Sequence, residues 1–195
     1  MAEVAPRWEW RSFEETFGEA ERRFAALPSE QVEESDELYL LSSVADENVK
    51  IRAGLMDVKA LQQVDANGLQ LWKPVMKGAF PLPAAAVAQA LGALGVGPLE
   101  LARAQYTLEQ LLGELVEPSG RVRPVAVHKR RARYRASGCL AEVADVTAGG
   151  RRTRTVAIES EDPVRVVDLV REFGLSGRDN VSYPRGLKRL IGMKG

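Results

Sequence analysis

Cysteine and histidine are nearly absent from this sequence. Its 195 residues include one cysteine, Cys139, and one histidine, His128. A lone cysteine has no partner for a disulfide within the chain, and one cysteine with one histidine cannot assemble a Cys/His zinc site or a Cys/His catalytic pair. These kinds of site are therefore excluded, and we expect Cys139 to be a small buried hydrophobic residue.

Long hydrophobic runs are also missing. No apolar stretch approaches the roughly 20 residues that a membrane-spanning helix needs. The first residues, with Glu3, Arg7 and Glu9, lack the basic and then apolar pattern of a signal peptide. Hydrophobic residues make up 45% of the chain and charged residues 28%, which is typical of a folded protein. We therefore expect one cytoplasmic domain over residues 1–195, without membrane contact.

Neither sign of charge is in excess, but the charges are unevenly distributed along the chain. There are 27 basic and 27 acidic residues, so the net charge is zero. Residues 1–47 contain thirteen Asp and Glu against four Arg, whereas residues 121–135 contain seven Lys or Arg and no acid. We call residues 121–135 the basic segment. A run this dense in one sign of charge needs a structural or functional explanation.

Alternation of apolar and polar residues predicts an antiparallel sheet. The alternating segments are separated by short breaks rich in Asp, Asn or Gly, such as Asp65-Ala-Asn-Gly68 and Gly149-Gly150, which are typical of hairpins. The predicted strands cover residues 8–13, 37–43, 48–53, 56–64, 68–76, 122–135, 138–147 and 151–160.

Apolar residues at three- and four-residue spacing predict helices in other parts of the chain. The predicted helices cover residues 13–27, 83–96, 163–174 and a short stretch near 187–191. Residues 29–37 are acid-rich without apolar periodicity, and we predict a solvated loop there. Residues 106–116 fit a helix or a strand equally well.

Basic residues recur at alternate positions of several predicted strands. Residues two apart in a strand share a face, so Lys50 and Arg52 point away from Val49 and Ile51. The same rule gives further inward candidates on other strands: Lys59, Lys73, Lys129, Arg131 and Arg133. If the sheet closes, these charges converge inside it, where a bound anion relieves their repulsion. We therefore predict an α+β fold whose antiparallel sheet is closed or curled into a tunnel or barrel, with helices outside and a polyphosphate-like anion within.

Two other interpretations of the basic residues stay open at this point. On any single strand, Lys and Arg more often lie on the outer, solvated face of a sheet. A basic face also suits nucleic acid, but few aromatic side chains alternate with these cations, as stacking on single strands requires. Recurrence on several strands favours the interior pocket, and the shortage of aromatics favours a phosphate chain over a nucleic acid.

Three carboxylates occur where a divalent metal ion could be held. Glu9 is on the first predicted strand, Asp145 lies near the end of a later strand, and Glu159 ends Val156-Ala-Ile-Glu159. Mg²⁺ or Mn²⁺ bound by a few carboxylates together with substrate phosphates is common in phosphate chemistry. Taken one at a time, each carboxylate is more often a solvated acid or the ion-pair partner of a nearby arginine.

The order of these elements resembles the CYTH superfamily, also called triphosphate tunnel metalloenzymes. Members of that superfamily include inorganic triphosphatases, thiamine triphosphatases and class IV adenylyl cyclases. The resemblance covers nearly the whole chain and rests on an ordered set of short motifs, none of which is specific alone. Those motifs are Val49-Lys-Ile-Arg52, Leu69-Gln-Leu-Trp-Lys73, Lys129-Arg-Arg131, Asp145 at a strand end, Val156-Ala-Ile-Glu159, and Ser182-Tyr183 with Leu187.

The chain departs from the superfamily pattern at acidic positions. The opening E-x-E-x-K strand of the superfamily corresponds here to Arg7, Glu9 and Arg11, so a cation replaces the first glutamate. In the late strand, Ala157 stands where E-x-E would place a glutamate before Glu159. These replacements make the pocket more cationic, which favours anion binding and weakens metal-assisted hydrolysis.

The resemblance implies a phosphohydrolase of inorganic triphosphate, polyphosphate or a nucleoside triphosphate. It implies catalytic roles for Glu9 and Asp145, and Mg²⁺ or Mn²⁺ held by Glu9, Asp145 and Glu159. The implied phosphate-binding residues are Arg11, Lys50, Arg52, Lys59, Lys73, Lys129, Arg131 and Arg133. The alternative is a catalytically weak or inactive tunnel that binds polyphosphate or another phosphorylated ligand. Adenylyl cyclase activity ranks third, because the sequence shows no pocket for a base.

Overall fold

An eight-stranded antiparallel barrel forms the centre of the molecule. The computed structural model describes residues 5–193. The strands in this range are β1 Arg7–Glu14, β2 Gln31–Ser42, β3 Asn48–Arg52, β4 Leu55–Val64, β5 Gln70–Ala79, β6 Leu82–Pro83, β7 Gln105–Tyr106, β8 Val122–Ala136, β9 Cys139–Ala148 and β10 Arg151–Ser160. β6 pairs with β7 outside the barrel, and the others close in the order β1-β10-β9-β8-β2-β3-β4-β5. The predicted α+β class and closed antiparallel sheet are confirmed.

The first strand closes the barrel. β1 pairs with β10, where Glu9 lies opposite Glu159, and with β5, where Arg7 lies opposite Trp72. Successive side chains of a strand point to opposite faces, so one residue in two points into a closed barrel. The barrel therefore gathers charged side chains from strands that are far apart in the sequence.

The acidic and basic parts of the sequence lie side by side in the fold as two paired strands. β2, from the acidic part of the chain, pairs with β8, which contains most of the basic segment. Glu33 lies opposite Arg131, with 2.7 Å between carboxylate and guanidinium, and Asp36 lies opposite His128, with 2.9 Å between oxygen and Nδ1. A neighbouring strand thus supplies counter-charges for the basic segment.

This strand pair corrects the prediction that residues 29–37 form a solvated loop. Residues 31–37 are the first half of β2. Glu33 and Glu37 share a face with Tyr39, whereas Val32 and Glu34 point to the other face. The apolar alternation that would reveal a strand is missing here, because the inner face of this half-strand contacts charged groups and not a hydrophobic core.

Helical segments follow the strands at five places in the described chain. They are α1 Glu19–Ala25, α2 Ala84–Ala93, α3 Leu108–Gln110 continuing through a π-helical stretch Leu111–Val116 into α4 Glu117–Ser119, α5 Pro163–Glu172 and α6 Tyr183–Ile191. Residues 106–116, which fit either state by sequence, are thus mostly helical. The first helix begins later than predicted because β1 continues to Glu14, with Phe13 paired to Thr155. Among the described residues, no helix combines the length and apolar character needed to cross a membrane.

Two hydrophobic clusters bury the outer face of the barrel beneath helices. In one cluster, Trp10 of β1 packs with Phe24 of α1 and Leu169 of α5. In the other, Met56 of β4 packs with Leu91 of α2. The prediction of helices outside the barrel is confirmed, and these two clusters do not fill the barrel interior.

A third cluster fills one end of the barrel interior. It combines Tyr39, Val127 and Val146 of the strands with Tyr183 and Leu187 of α6. The rings of Tyr39 and Tyr183 stack with centroids 5.0 Å apart. α6 therefore closes this end of the barrel, and the open volume is confined to the rest of the interior.

Candidate functional site

The open part of the barrel interior is a cavity of about 1270 Å³, which we call the barrel cavity. All eight barrel strands contribute side chains to its wall. The basic wall residues are Arg7, Arg11, Lys50, Arg52, Lys59, Lys73, Lys77, Lys129, Arg131, Arg133 and Arg135. The acidic wall residues are Glu9, Glu30, Asp57, Glu142 and Glu159. Cations outnumber carboxylates in this wall, so the cavity attracts anions.

The structure brings every predicted site residue except Asp145 to the barrel cavity. Those in the wall are Glu9, Arg11, Lys50, Arg52, Lys59, Lys73, Lys129, Arg131, Arg133 and Glu159. Their inward direction follows from strand alternation, since Val49 and Ile51, on either side of Lys50, are buried in an outer cluster. A ligand in the cavity would meet cations from β1, β3, β4, β5 and β8.

Asp145 lies outside the barrel cavity. Its carboxylate is exposed and contacts the Arg154 guanidinium at 2.8 Å, and Arg154 also pairs with Glu21 of α1. In β9 the inward positions are Glu142 and Ala144, so Asp145 points outward by alternation. The structure thus does not unite Asp145 with Glu9 and Glu159, and Glu142 is the β9 carboxylate of the cavity.

Lys129 is the most deeply buried cation of the cavity wall, with 3% of its surface exposed. Its Nζ donates a hydrogen bond to Tyr39 Oη at 3.0 Å and lies 3.1 Å from the Glu37 carboxylate. The same ammonium lies 4.0 Å from the centre of the Tyr183 ring, a cation–π contact. Burial lowers the pKa of Lys129 to about 7, although the negative charge of Glu37 opposes that change.

Glu37 is a buried carboxylate that holds two lysines together. Its Oε2 lies 3.3 Å from Lys50 Nζ, in addition to the contact with Lys129. Burial alone would raise the pKa of Glu37, but the charges of Lys129 and Lys50 outweigh burial and lower it to about 2. Glu37 therefore stays ionised and keeps part of the positive charge of the cavity neutralised while no anion is bound.

Arg11 lies between two carboxylates, Glu9 on its own strand and Glu142 on β9. Its Nε donates to Glu9 at 3.0 Å, its Nη1 donates to Thr155 Oγ1 at 3.2 Å, and Nη1 lies 3.7 Å from Glu142. Burial would lower the pKa of the Arg11 guanidinium, but Glu9 and Glu142 raise it, and the net change is upward. Burial would likewise raise the pKa of Glu9, but Arg11 and Lys59 bring it below its ordinary value. Both groups are therefore charged at neutral pH.

Four buried side-chain atoms among the described residues have no hydrogen-bond partner, and all four belong to the cavity wall. They are Asn48 Oδ1, Arg52 Nη1, Arg131 Nε and Tyr183 Oη. The nearest carboxylates to Arg52 Nη1, at 3.6 and 3.8 Å, are beyond hydrogen-bond distance. Leaving a buried polar atom unpaired costs about 1–3 kcal/mol, and folded proteins contain few such atoms. Two guanidinium donors and a phenol in residues of the cavity wall thus have hydrogen-bonding capacity that the chain itself does not use.

The acidic residues of the cavity do not fit a divalent metal ion as they stand. No group of three or more His, Cys, Asp or Glu residues in the described part of the chain is arranged to hold one. Glu9 and Glu159 each have a guanidinium nitrogen 3.0 Å away, from Arg11 and Arg7. A metal ion at either carboxylate would be next to a fixed positive charge that repels it. The predicted site for Mg²⁺ or Mn²⁺ is therefore not supported by these donors.

Sequence reasoning missed several residues of the cavity. Glu37 stands where the predicted loop 29–37 meets the predicted strand 37–43, and Glu142 is not among the predicted site residues. Tyr39 and Tyr183 look like ordinary core aromatics by sequence, although Ser182-Tyr183 was part of the superfamily resemblance. The available signal was period-two spacing, which puts Glu37 on the face of Tyr39 and Glu142 on that of Ala144.

Comparison with known proteins identifies the fold from solved structures. No protein-family model and no curated protein sequence matches the chain. The PH1012 protein of Pyrococcus horikoshii OT3 is 18% identical, with a TM-score of 0.54 over 95% of this chain and 99% of that one. HpAC1 of Hippeastrum, an assigned adenylyl cyclase with a dominant triphosphatase activity, is 16% identical, with a TM-score of 0.50 over 89% and 92%.

A third solved structure agrees with these two. An assigned adenylate cyclase of Bacillus halodurans is 11% identical, with a TM-score of 0.50 over 92% of this chain and 97% of that one. Identities this low establish shared architecture, and activity has to be argued from the site. The closed barrel that the resemblance to the CYTH superfamily implies is confirmed, and the chain shares the fold of these three solved structures.

Proposed function

We propose that the barrel cavity binds a linear phosphate anion, either inorganic triphosphate or a short polyphosphate. The observation that carries this proposal is the pair of buried, unpaired guanidinium donors of Arg52 and Arg131 in a wall with an excess of cations. Guanidinium groups bind phosphate oxygens with short, charge-assisted hydrogen bonds. An apolar or cationic ligand would leave both donors unsatisfied.

The spacing of the cations favours a chain of phosphates over a single one. Lys129 and Arg131 are almost fully buried, with 3% and 4% exposed. The side chains of Arg7 and Arg133 are 39% and 42% exposed, which places them toward solvent. Positive charge therefore extends from the buried part of the cavity to its exposed part, and a linear anion can contact several of these groups at once.

Arg52→Gln tests this proposal by removing one unpaired donor together with its charge. We expect the affinity for sodium tripolyphosphate, measured by isothermal titration calorimetry, to fall by about tenfold or more, since a hydrogen bond to a charged group contributes about 1.5–3 kcal/mol. Because the side chain of Arg52 is 31% exposed, we expect little change in the thermal midpoint of unfolding, Tm.

Arg171→Gln is the matched control for Arg52→Gln. Arg171 lies on α5 with 68% of its side chain exposed and pairs with Asp168, away from the cavity wall. This variant should bind tripolyphosphate as the wild type does. Equal losses in the two variants, or no binding by the wild type, would contradict the proposal.

Hydrolysis of the bound anion is the second candidate function. It is favoured by Lys129, because an amine with a pKa of about 7 beside the Tyr39 hydroxyl can take up or release a proton at neutral pH. The triphosphatase activity of HpAC1, which has this fold, agrees with that candidate. Incubation with triphosphate or ATP, with Mg²⁺, Mn²⁺ or EDTA, should then release phosphate at a rate that Lys129→Met abolishes. If the wild type binds triphosphate tightly but releases phosphate no faster than Lys129→Met does, hydrolysis is contradicted and only the binding function remains.

A further inference from the structure

The acidic side of the barrel cavity is built around arginines of β1. β1 turns Arg7, Glu9 and Arg11 inward, its neighbour β10 contributes Glu159, and β9, on the far side of β10, contributes Glu142. Each of these three carboxylates has a guanidinium nitrogen within 3.7 Å. The negative charge that could attract a divalent cation is thus already balanced by the chain.

Arg11 makes this balance hard to displace. It is 8% exposed, is held by hydrogen bonds to Glu9 and Thr155, and packs 4.9 Å from the centre of the Tyr183 ring. A divalent ion approaching Glu9 or Glu142 would have to expel a buried guanidinium or remain beside it. Either course costs electrostatic free energy, because like charges interact strongly where water is scarce.

Arg7 repeats the arrangement at the more exposed end of the cavity. Its Nη1 lies 3.0 Å from Glu159 Oε1, and 39% of its side chain is exposed. On β10, Ala157 lies opposite Arg11 and provides only a methyl group to the cavity wall. A guanidinium carries five N–H donors, so one that pairs with a carboxylate still has donors to offer a phosphate oxygen.

We infer that the ligand of the barrel cavity is a metal-free polyphosphate anion, bound by guanidinium groups that neutralise Glu9, Glu142 and Glu159 in place of a divalent cation. This inference rests on the proposed function and specifies the chemical form of its ligand. Mg²⁺ bound to triphosphate in solution lowers the negative charge of the anion and so weakens its attraction to a cationic wall. Magnesium therefore competes with the protein for the ligand.

Calorimetry with sodium tripolyphosphate tests the inference when it is done in EDTA and again with Mg²⁺ in excess over the ligand. We expect binding in EDTA, with an affinity several-fold lower in Mg²⁺ at the same ionic strength. In a second measurement, the electron paramagnetic resonance signal of free Mn²⁺ should keep its amplitude when the protein is added without ligand.

The outcomes separate the inference from the proposed function. Binding that requires Mg²⁺, or a loss of free Mn²⁺ signal on addition of the protein, would overturn the inference and leave the proposed function standing. Absence of binding in both buffers would overturn the proposed function itself. Arg7→Gln, at an exposed position, should bind tripolyphosphate in EDTA about fivefold more weakly than Arg171→Gln, and equal affinities of these two variants would also count against the inference.

Discussion

Lys129 shows at the residue scale how burial and charge combine in this barrel. Its ammonium is enclosed by Glu37 and by the rings of Tyr39 and Tyr183, and burial brings its pKa to about 7. A bound phosphate adds negative charge beside Lys129 and favours the protonated amine. Ligand binding and protonation of Lys129 are therefore coupled.

The coupling predicts that affinity for tripolyphosphate depends on pH through Lys129. The protonated form, which binds the anion better, predominates below pH 7 and is lost as pH rises through 7. Between pH 6 and pH 8.5 we expect the wild type to lose affinity on the order of tenfold relative to Lys129→Met. Calorimetry on both variants measures this, and their comparison cancels the titration of the ligand. Parallel pH profiles would show that Lys129 does not titrate in this range.

The candidate site was predictable from the sequence where cations occupy alternate residues of a strand. It was not predictable where the face of a single carboxylate, or a strand without an apolar face, decides the position. Lys50, Arg52, Lys129 and Arg131 are inward as predicted, because strand alternation needs only a correct strand assignment. The expected position of Asp145 in the cavity was wrong, because a motif at a strand end does not define on which of the two faces the carboxylate lies. Glu37 was missed because a buried acid surrounded by lysines leaves no apolar pattern in the sequence.

At the scale of elements, α6 depends on one glycine. Gly186 lies in the first half of α6, and a Cβ at this position would overlap the ring of Phe13 on β1. The helix is held at its start by Ser182, whose side chain accepts a hydrogen bond from Arg185 N, and near its end by Lys188, which pairs with Asp46. The close approach of α6 to β1 therefore depends on the contact between Gly186 and the Phe13 ring, and on the interactions that hold the two ends of the helix.

Gly186→Ala is predicted to destabilise the fold. Overpacking of a filled site costs about 1–3 kcal/mol, so urea unfolding should show a lower midpoint, and the variant should bind tripolyphosphate less well because Tyr183 also lines the cavity. Gly92→Ala is the control, because Gly92 is an exposed helical position with no atom within 4 Å of an added Cβ. This second change should be neutral or stabilising by up to about 1 kcal/mol. Equal midpoints for both variants would mean that α6 tolerates the methyl group by shifting.

Element boundaries were predictable to the extent that each element has an apolar face. The strands of the meander and the later hairpins lie close to their predicted ranges, because their outer faces bury Val49, Met56 and Ile158 beneath helices. The first half of β2 has no such face, and the first helix was started too early because Phe13 belongs to β1 while repeating at helical spacing with Phe17. Both the missed half of β2 and the early start of the first helix involve residues whose side chains face the barrel interior or its closed end.

At the scale of the whole molecule, a net charge of zero conceals a cationic interior. Nearly half of the acids that balance the total lie in residues 1–47, where Glu19 and Glu21 are on α1 and Glu34 and Asp36 are on the outer face of β2. A positively charged cavity in the free protein opposes folding through repulsion, which a bound polyanion relieves. The ligand should therefore raise stability as well as occupy the site.

Sodium tripolyphosphate is predicted to raise the Tm measured by differential scanning fluorimetry. A ligand at about 100 times its dissociation constant adds about 2.7 kcal/mol of stability, which for a chain of this size is roughly 5–10 °C. Sodium chloride at the same ionic strength is the control and should give a much smaller shift. Identical shifts with both salts would mean that general screening, and not a specific site, stabilises the protein.

The filled end of the barrel limits how a long ligand can be accommodated. Because Tyr183 and Leu187 of α6 occupy that end together with Tyr39, we expect a linear anion to enter the part of the barrel formed by residues 5–193 from the opposite end. We therefore expect a polyphosphate longer than the cavity to insert one terminus and leave the rest in solvent, without threading through the barrel. Recognition then depends on the number of chain ends in solution, and at equal total phosphate short chains would occupy more of the protein than long ones.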